Sequence, residues 1–229
     1  MKFPLRAVIF DLDDTLFDDA TCTRAGLAEL ARSHGITHWT PQAMFTRHAE
    51  IIDDISPRLF SGQITGHTAR VLRYSRLLAE WGVPDPDGEA ATHAYRAAYV
   101  GAWTLIDGAA EILHDLRGRG FKIGILTNYV QEVQLEKLRV LRLLDAVDAI
   151  LCIEDLPAPK PDARAYRTAC ALLGVAPAEA MMIGDSWTND VEGAMKAGLC
   201  AIWFDRQGRK PPGDGVPQIQ RLNELSRLI

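Results

Sequence analysis

No run of Lys and Arg stands out in this chain of 229 residues, and its 25 basic side chains are outnumbered by 30 acidic ones. The formal net charge is -5. An acidic chain without a basic tract argues against nucleic acid or an anionic membrane as its main partner. No stretch approaches about 18 consecutive apolar residues, so no segment is expected to span a bilayer. The opening Met-Lys-Phe-Pro-Leu-Arg lacks the pattern of a secretory signal, and a cytoplasmic location is expected. Cysteine is scarce: Cys22, Cys152, Cys170 and Cys200 form no C-x-x-C pair. Each lies in an apolar or helical context and is expected to be a buried thiol, which argues against a zinc site or a disulfide framework. Internal repeats and low-complexity segments are missing too. No G-x-x-x-x-G-K-[ST] occurs, and Gly118-Arg-Gly120 precedes a strand instead of following one, so nucleotide-loop motifs give no support.

What the chain does have is 48% hydrophobic residues, enough for one substantial core or a core with a smaller module. Arg6-Ala-Val-Ile-Phe-Asp11 is a short apolar, β-branched run of the kind that forms a buried strand. Similar runs recur at Phe121–Thr127, Ala149–Ile153, Ala180–Asp185 and Leu199–Asp205. Helical patterns separate the later ones. Val133, Leu138, Leu141 and Leu144 share a face over 131–144, and Ala165, Ala169, Leu172 and Leu173 do so over 162–173. Strand and helix in alternation predict βαβ units and a parallel sheet.

About 110 residues separate the first strand from the second, where a parallel crossover needs a dozen or so. The excess predicts helices. One starts near Asp18 or Asp19 and ends by Gly35, with Leu27, Leu30 and His34 on one side. A second starts at Thr40-Pro41, an N-cap followed by Pro at the first helical position, with Met44, His48, Ile51 and Ile55 as its stripe. A third starts at Thr65, carries Val71, Tyr74, Leu78 and Trp81, and stops at Gly82. An Ala-rich helix spans about 87–100. A Gly/Pro-rich loop at 207–217 precedes a last short helix. The expected fold class is α/β: a Rossmann-like, doubly wound parallel sheet core from 1–16 and 101–229, with a helical insert at 17–100.

The first strand runs into D-L-D-D-T-L-F-D-D, which crowds Asp11, Asp13, Asp14, Asp18 and Asp19 with no Lys or Arg between Arg6 and Arg24. Crowded carboxylates repel and need a partner or a proton. A divalent cation is an efficient partner, and hard oxygen ligands favour Mg²⁺. Asp18 and Asp19 read more simply as helix caps. Asp11 and Asp13 stand where a parallel strand ends, and in open α/β sheets ligands bind at that edge. Three further polar elements follow other strands. Thr127-Asn128 breaks an apolar run with hydrogen-bonding groups. Lys160 lies between prolines in A-P-K-P, which narrows its reach. Asp185 and Asp190 lie in I-G-D-S-W-T-N-D. Taken singly, each of these is ordinary turn, surface or cap chemistry. Together, and in this order, they predict one crevice.

These segments resemble the haloacid dehalogenase-like hydrolase superfamily over essentially the whole chain. D-L-D-D-T-L is similar to the family's D-x-D-x-T/V opening, Leu126–Asn128 to its second motif, Lys160 before Pro161-Asp162 to its third, and Gly184–Asp190 to its fourth. The insert resembles the family's α-helical cap. The resemblance implies a small phosphate ester as substrate, with Asp11 as nucleophile and ligand to Mg²⁺. It implies that Asp13 is general acid and then base, and gives the metal its backbone carbonyl. Thr127 and the Asn128 amide bind the phosphoryl, Lys160 neutralises charge, Asp185 completes the metal's ligands, and Asp190 supports Lys160 or a metal-bound water.

Position 13 favours phosphatase chemistry, because the namesake dehalogenases carry Tyr there and have no alkoxide to protonate. A phosphomutase of the same superfamily uses the same elements and is the nearest alternative. A phospho-acceptor signalling module is shorter, with its Asp on a later strand and no insert. The insert is expected to close over the site and set specificity, with Arg47, Arg58, Arg70, Arg73, His48 and Tyr74 as candidates whose plainer reading is surface charge and packing. Thr127–Lys137 is similar to branches acting on nucleotides, sugar phosphates or acylneuraminate phosphate. The expected assembly is a monomer or homodimer.

Overall fold

The computed structural model describes residues 4–229, except for the side chain of Phe60. Residues 1–3, part of the segment read above for a leader pattern, lie outside the described residues. The chain divides into two compact units, Met1–Asp18 with Thr104–Ile229, and Asp19–Trp103. No described helix is long and apolar enough to cross a membrane.

The first unit is built on a six-stranded sheet of β1 (Ala7–Phe10), β2 (Lys122–Leu126), β3 (Ala149–Leu151), β4 (Ala180–Gly184), β5 (Cys200–Phe204) and β6 (Gln218–Ile219). Every pairing is parallel, in the order β3-β2-β1-β4-β5-β6. This is the doubly wound α/β fold expected from the alternating pattern. All four residues of β1 are fully buried, which requires cover on both faces of the sheet. On one face Ala7, Ile9 and Met182 pack with Tyr166, Ala169 and Leu173 of α7 (Ala163–Leu173) and Ala194 of α8 (Gly193–Ala197). The unit also holds α5 (Ala109–Gly118), for which the sequence suggested no separate helix, and α6 (Gln131–Val140).

Several expectations need correction. Leu172 is 62% exposed, and Tyr166 and Cys170 take its place on the buried face of α7. The helix expected over 131–144 stops at Val140. Arg142 adopts φ +58°, and the Leu143 amide donates to the Leu138 carbonyl at 2.8 Å, closing the last turn in the manner usually left to glycine. β6 follows the Gly/Pro-rich loop, and the last helix is a 3₁₀ segment, Leu222–Arg227. Cys22, Cys152 and Cys170 are buried as expected, whereas Cys200 is exposed at the first position of β5.

The second unit contains α1 (Asp19–Ser33), α2 (Pro41–Phe60), α3 (Gly66–Glu80) and α4 (Gly88–Gly101). Thr40, Thr65 and Asp87 cap the last three: Thr40 Oγ1 accepts from the Ala43 amide, Thr65 Oγ1 from Thr68, and Asp87 Oδ1 from Glu89 and Ala90. Their inward faces form one core that includes Leu30, Ile51, Ile55, Tyr74, Leu77, Leu78, Trp81 and Tyr95. His34 lies beyond the end of α1 and is exposed, and Val71 is half-buried while Leu77 is fully buried.

Candidate active site

Strand order reverses between β1 and β4, the switch point at which open α/β sheets bind ligands. Asp11 follows β1 directly, its amide donating to the Ile183 carbonyl at 2.9 Å, and Asp185 follows β4. Beyond Asp11 the chain makes one tight turn. The amides of Thr15, Leu16 and Phe17 converge on the Leu12 carbonyl at 3.3, 2.9 and 2.9 Å. Asp14 sits at φ +58°, a conformation that Asp tolerates better than most residues.

Asp11, Asp13, Thr127, Asn128, Lys160, Asp185 and Asp190 all line one cleft of about 210 Å³, with Tyr129, Ser186 and Asn189. The Lys160 side chain is 3% exposed. The ammonium donates to Asp11 Oδ1 at 2.7 Å and to Asp190 Oδ1 at 2.6 Å. The second Asp190 oxygen accepts from the Ser186 amide at 3.0 Å. Asn128 clamps the backbone of Lys160, its Nδ2 donating to the Lys160 carbonyl and its Oδ1 accepting from the Lys160 amide, both at 2.8 Å. Thr127 Oγ1 accepts from Gln134 Nε2 at 3.0 Å and from the Tyr129 amide at 3.3 Å. Both contacts use its lone pairs, which leaves the hydroxyl proton to be donated.

The electrostatics follow from burial and crowding. Burial raises the Asp11 carboxyl from 3.8 to about 7, with Asp190 and Asp13 adding to the rise and Lys160 opposing it. Asp185 is pushed up to about 8 by burial, then by Asp11 and Asp190. Burial alone would lower the Lys160 ammonium, but the attraction of Asp11 and Asp190 outweighs it and holds Lys160 above its ordinary value. One oxygen from each of Asp11, Asp185 and Asp190 can lie within 4.8 Å of the others.

Asp190 reaches Lys160 because the chain after β4 takes a wide π-helical turn over Trp187–Glu192, where a simple helix start was expected. Gly184 makes room for it: a Cβ there would stand 2.2 Å from Asp190 Oδ2. Gly184→Ala is therefore expected to push Asp190 off Lys160. The expected cost is about 1–3 kcal/mol of unfolding free energy, together with lower turnover in the same preparation. Unchanged stability and turnover would show that the turn can move aside.

Lys160 was legible in the sequence, but the two other cations that meet the crowded carboxylates, Lys137 and Arg206, were not, because neither is near them in sequence. Lys137 Nζ donates to Asp13 Oδ1 at 2.6 Å, and Gln134 Nε2 to Asp13 Oδ2 at 2.9 Å. Arg206 Nη2 donates to Asp14 at 3.0 Å and to Asp18 at 3.1 Å. Asp19 opens α1, accepting from Thr23 Oγ1 at 3.2 Å and from the Tyr99 hydroxyl at 2.5 Å. Trp203 Nε1 donates to the Asp185 carbonyl at 2.9 Å. The signal for Gln134 and Lys137 was present: two polar residues three apart, on the helix that follows Thr127. In the helical unit, Arg47 is held by Glu50 and Glu80. His48 and Tyr74 are buried in that unit's core, with His48 stacked on Tyr74 and Tyr95.

Comparison with known proteins identifies the family. The model of the haloacid dehalogenase-like hydrolase family matches residues 5–198. The phosphoserine phosphatase of Thermus thermophilus is 30% identical over 252 residues, covering 98% of each chain. The ribulose-1,5-bisphosphate 5-phosphatase of Halopiger xanaduensis is 34% identical over 202 residues, 87% of this chain and 84% of that one. The crystal structure of the HAD-hydrolase YfnB from Bacillus subtilis, bound to magnesium, superposes with a TM-score of 0.78 at 26% identity over 99% of both chains. The chain is an enzyme, and it belongs to the haloacid dehalogenase-like hydrolase family.

Proposed function

We propose that the protein is a Mg²⁺-dependent phosphatase that hydrolyses a small phosphate monoester through an aspartyl phosphate on Asp11. The observation that carries this reading is the pairing of Asp11, at the end of β1, with a buried Lys160 in the same cleft as Asp13. Phosphatases at 30% and 34% identity support it. The reacting groups all belong to the unit that carries the sheet, so we assign the chemistry to that unit and substrate choice to the helical one.

The residues suit a divalent cation. The buried Lys160 ammonium pairs with Asp11 and Asp190, Asp185 crowds the same cleft, and the Asp11 and Asp185 carboxyls are pushed up by burial and by their carboxylate neighbours. Both Asp190 oxygens are engaged by Lys160 and the Ser186 amide, and the ligands that the family resemblance implies, Asp11, Asp185 and the Asp13 carbonyl, would hold the ion. When bound, Mg²⁺ supplies positive charge to the phosphoryl oxygens.

An Asp11 oxygen attacks phosphorus as the ester's P–O bond breaks, and Asp13 gives its proton to the departing oxygen. A water then loses a proton to Asp13 and attacks the same phosphorus, releasing inorganic phosphate and free Asp11. Lys160 and the Thr127 hydroxyl hold the phosphoryl oxygens meanwhile. The test is hydrolysis of p-nitrophenyl phosphate with Mg²⁺ and with excess chelator. Turnover that needs the metal is expected. Folded protein that hydrolyses no small phosphate ester in the presence of Mg²⁺ would overturn the reading.

A further inference from the structure

Lys137 is one of the largest fully buried side chains of the molecule, 1% exposed, and Gln134 is wholly buried. Burying an ammonium and an amide is costly unless their partners are well placed. Both residues lie on α6, three apart, so they share a face. They divide one carboxylate between them: Lys137 Nζ donates to Asp13 Oδ1 at 2.6 Å, and Gln134 Nε2 donates to Oδ2 at 2.9 Å. One donor would leave the carboxylate free to turn about its Cβ–Cγ bond, whereas a donor on each oxygen fixes both.

The donors are themselves fixed. Lys137 Nζ stands 4.3 Å from the centre of the Phe17 ring and 5.6 Å from that of Tyr129. Gln134 Nε2 has two protons and uses the other on Thr127 Oγ1 at 3.0 Å. One amide nitrogen thus spaces Asp13 from Thr127. The Asp13 carboxylate accepts, so it is the amide nitrogen that must face it, and Gln134 Oε1 is left buried without a hydrogen-bond partner. A buried oxygen without a partner lowers stability. Local rules broken in this way are concentrated at functional sites.

We propose that Gln134 and Lys137 are positioning residues that hold the Asp13 carboxylate in one orientation, and at one separation from Thr127, for proton transfer at the ester's leaving oxygen. This rests on the reading of Asp13 as acid and base. Neither side chain touches the reacting atoms. Their effect therefore belongs to the step in which a leaving group needs a proton, and scales with how much it needs one.

Two aryl esters that differ in the basicity of the leaving group separate this from a packing role. Phenoxide leaves poorly without a proton, and p-nitrophenoxide leaves readily. We would measure kcat/KM for phenyl phosphate and p-nitrophenyl phosphate with wild type, Lys137→Met, Gln134→Leu and Asp13→Asn, along with each thermal midpoint. Both α6 variants are expected to lose about 10²-fold on phenyl phosphate and less than about tenfold on p-nitrophenyl phosphate, with midpoints near wild type. Asp13→Asn should show the same asymmetry, and more strongly. Equal losses on the two esters, or no loss, would overturn the positioning role while an asymmetric Asp13→Asn left the phosphatase reading standing. A wild type without turnover, or a symmetric Asp13→Asn, would bring down the reading of Asp13 and this proposal with it.

Discussion

Asp11→Asn is expected to lower turnover by at least about 10⁴-fold, as loss of a covalent nucleophile does, and to leave the protein as stable as before or more so. The two halves of this result together assign a role. Asparagine keeps the shape of the side chain and can still accept from Lys160, but its amide makes a poor nucleophile. The gain in stability follows from the direction of the Asp11 shift. Folding raises its pKa from 3.8 to about 7, mainly by burial, so the folded state disfavours the ionised form. That penalty is absent below about pH 3.8 and complete above about 7. Asparagine carries no charge at any pH, so without divalent cation its advantage over wild type should grow as pH rises through this window. Urea midpoints near pH 5 and pH 8 measure it. Excess Mg²⁺ should narrow the gap by stabilising wild type more than the variant. A variant less stable at pH 8, whose turnover falls only with its folded fraction, would make Asp11 a structural group.

The sequence was most legible where one residue type has one physical reason to be there. The five apolar runs became β1 to β5 because a strand buried on both faces must be apolar throughout. β6 was not legible: two residues, Gln218 and Ile219, carry no periodicity, and the strand exists because they pair with Trp203 and Phe204 of β5. The stop at Val140 was hidden for a similar reason. Arg142 gives no local sign that it will adopt a positive φ, and the burial of Leu143 decides it. In the helical unit, Thr40 and Thr65 announced their helices because capping is local, whereas the fourth helix was announced by its alanines and its Asp87 cap was not. The carboxylates were conspicuous at the ends of strands, whereas of the three cations that meet them only Lys160 was. Lys137, Lys160 and Arg206 reach Asp13, Asp11 and Asp14 across 124, 149 and 192 residues. Lys160 was picked out because prolines flank it. Lys137 was not, because a lysine on a helix is ordinarily solvated.

Lys160→Met tests the cleft from its cationic side. The ammonium lies between Asp11 and Asp190, whose side chains are 11% and 1% exposed. Methionine replaces its methylene stem closely and removes the charge. Two buried carboxylates then face one another without their shared partner, a change that costs about 3–5 kcal/mol when one side of a buried pair is deleted. The loss should be largest at alkaline pH and shrink as pH falls and Asp11 takes up a proton. Turnover should drop by about 10²-fold or more, because the phosphoryl oxygens lose a fixed positive charge. These two effects have different sources, and a second substitution separates them. Asp190→Asn in the Lys160→Met background removes one of the facing charges, and should recover most of the unfolding midpoint and none of the turnover. Recovery of both would mean that Lys160 acts by holding the cleft together. Recovery of stability alone would leave the ammonium a part in the chemistry that no packing argument supplies.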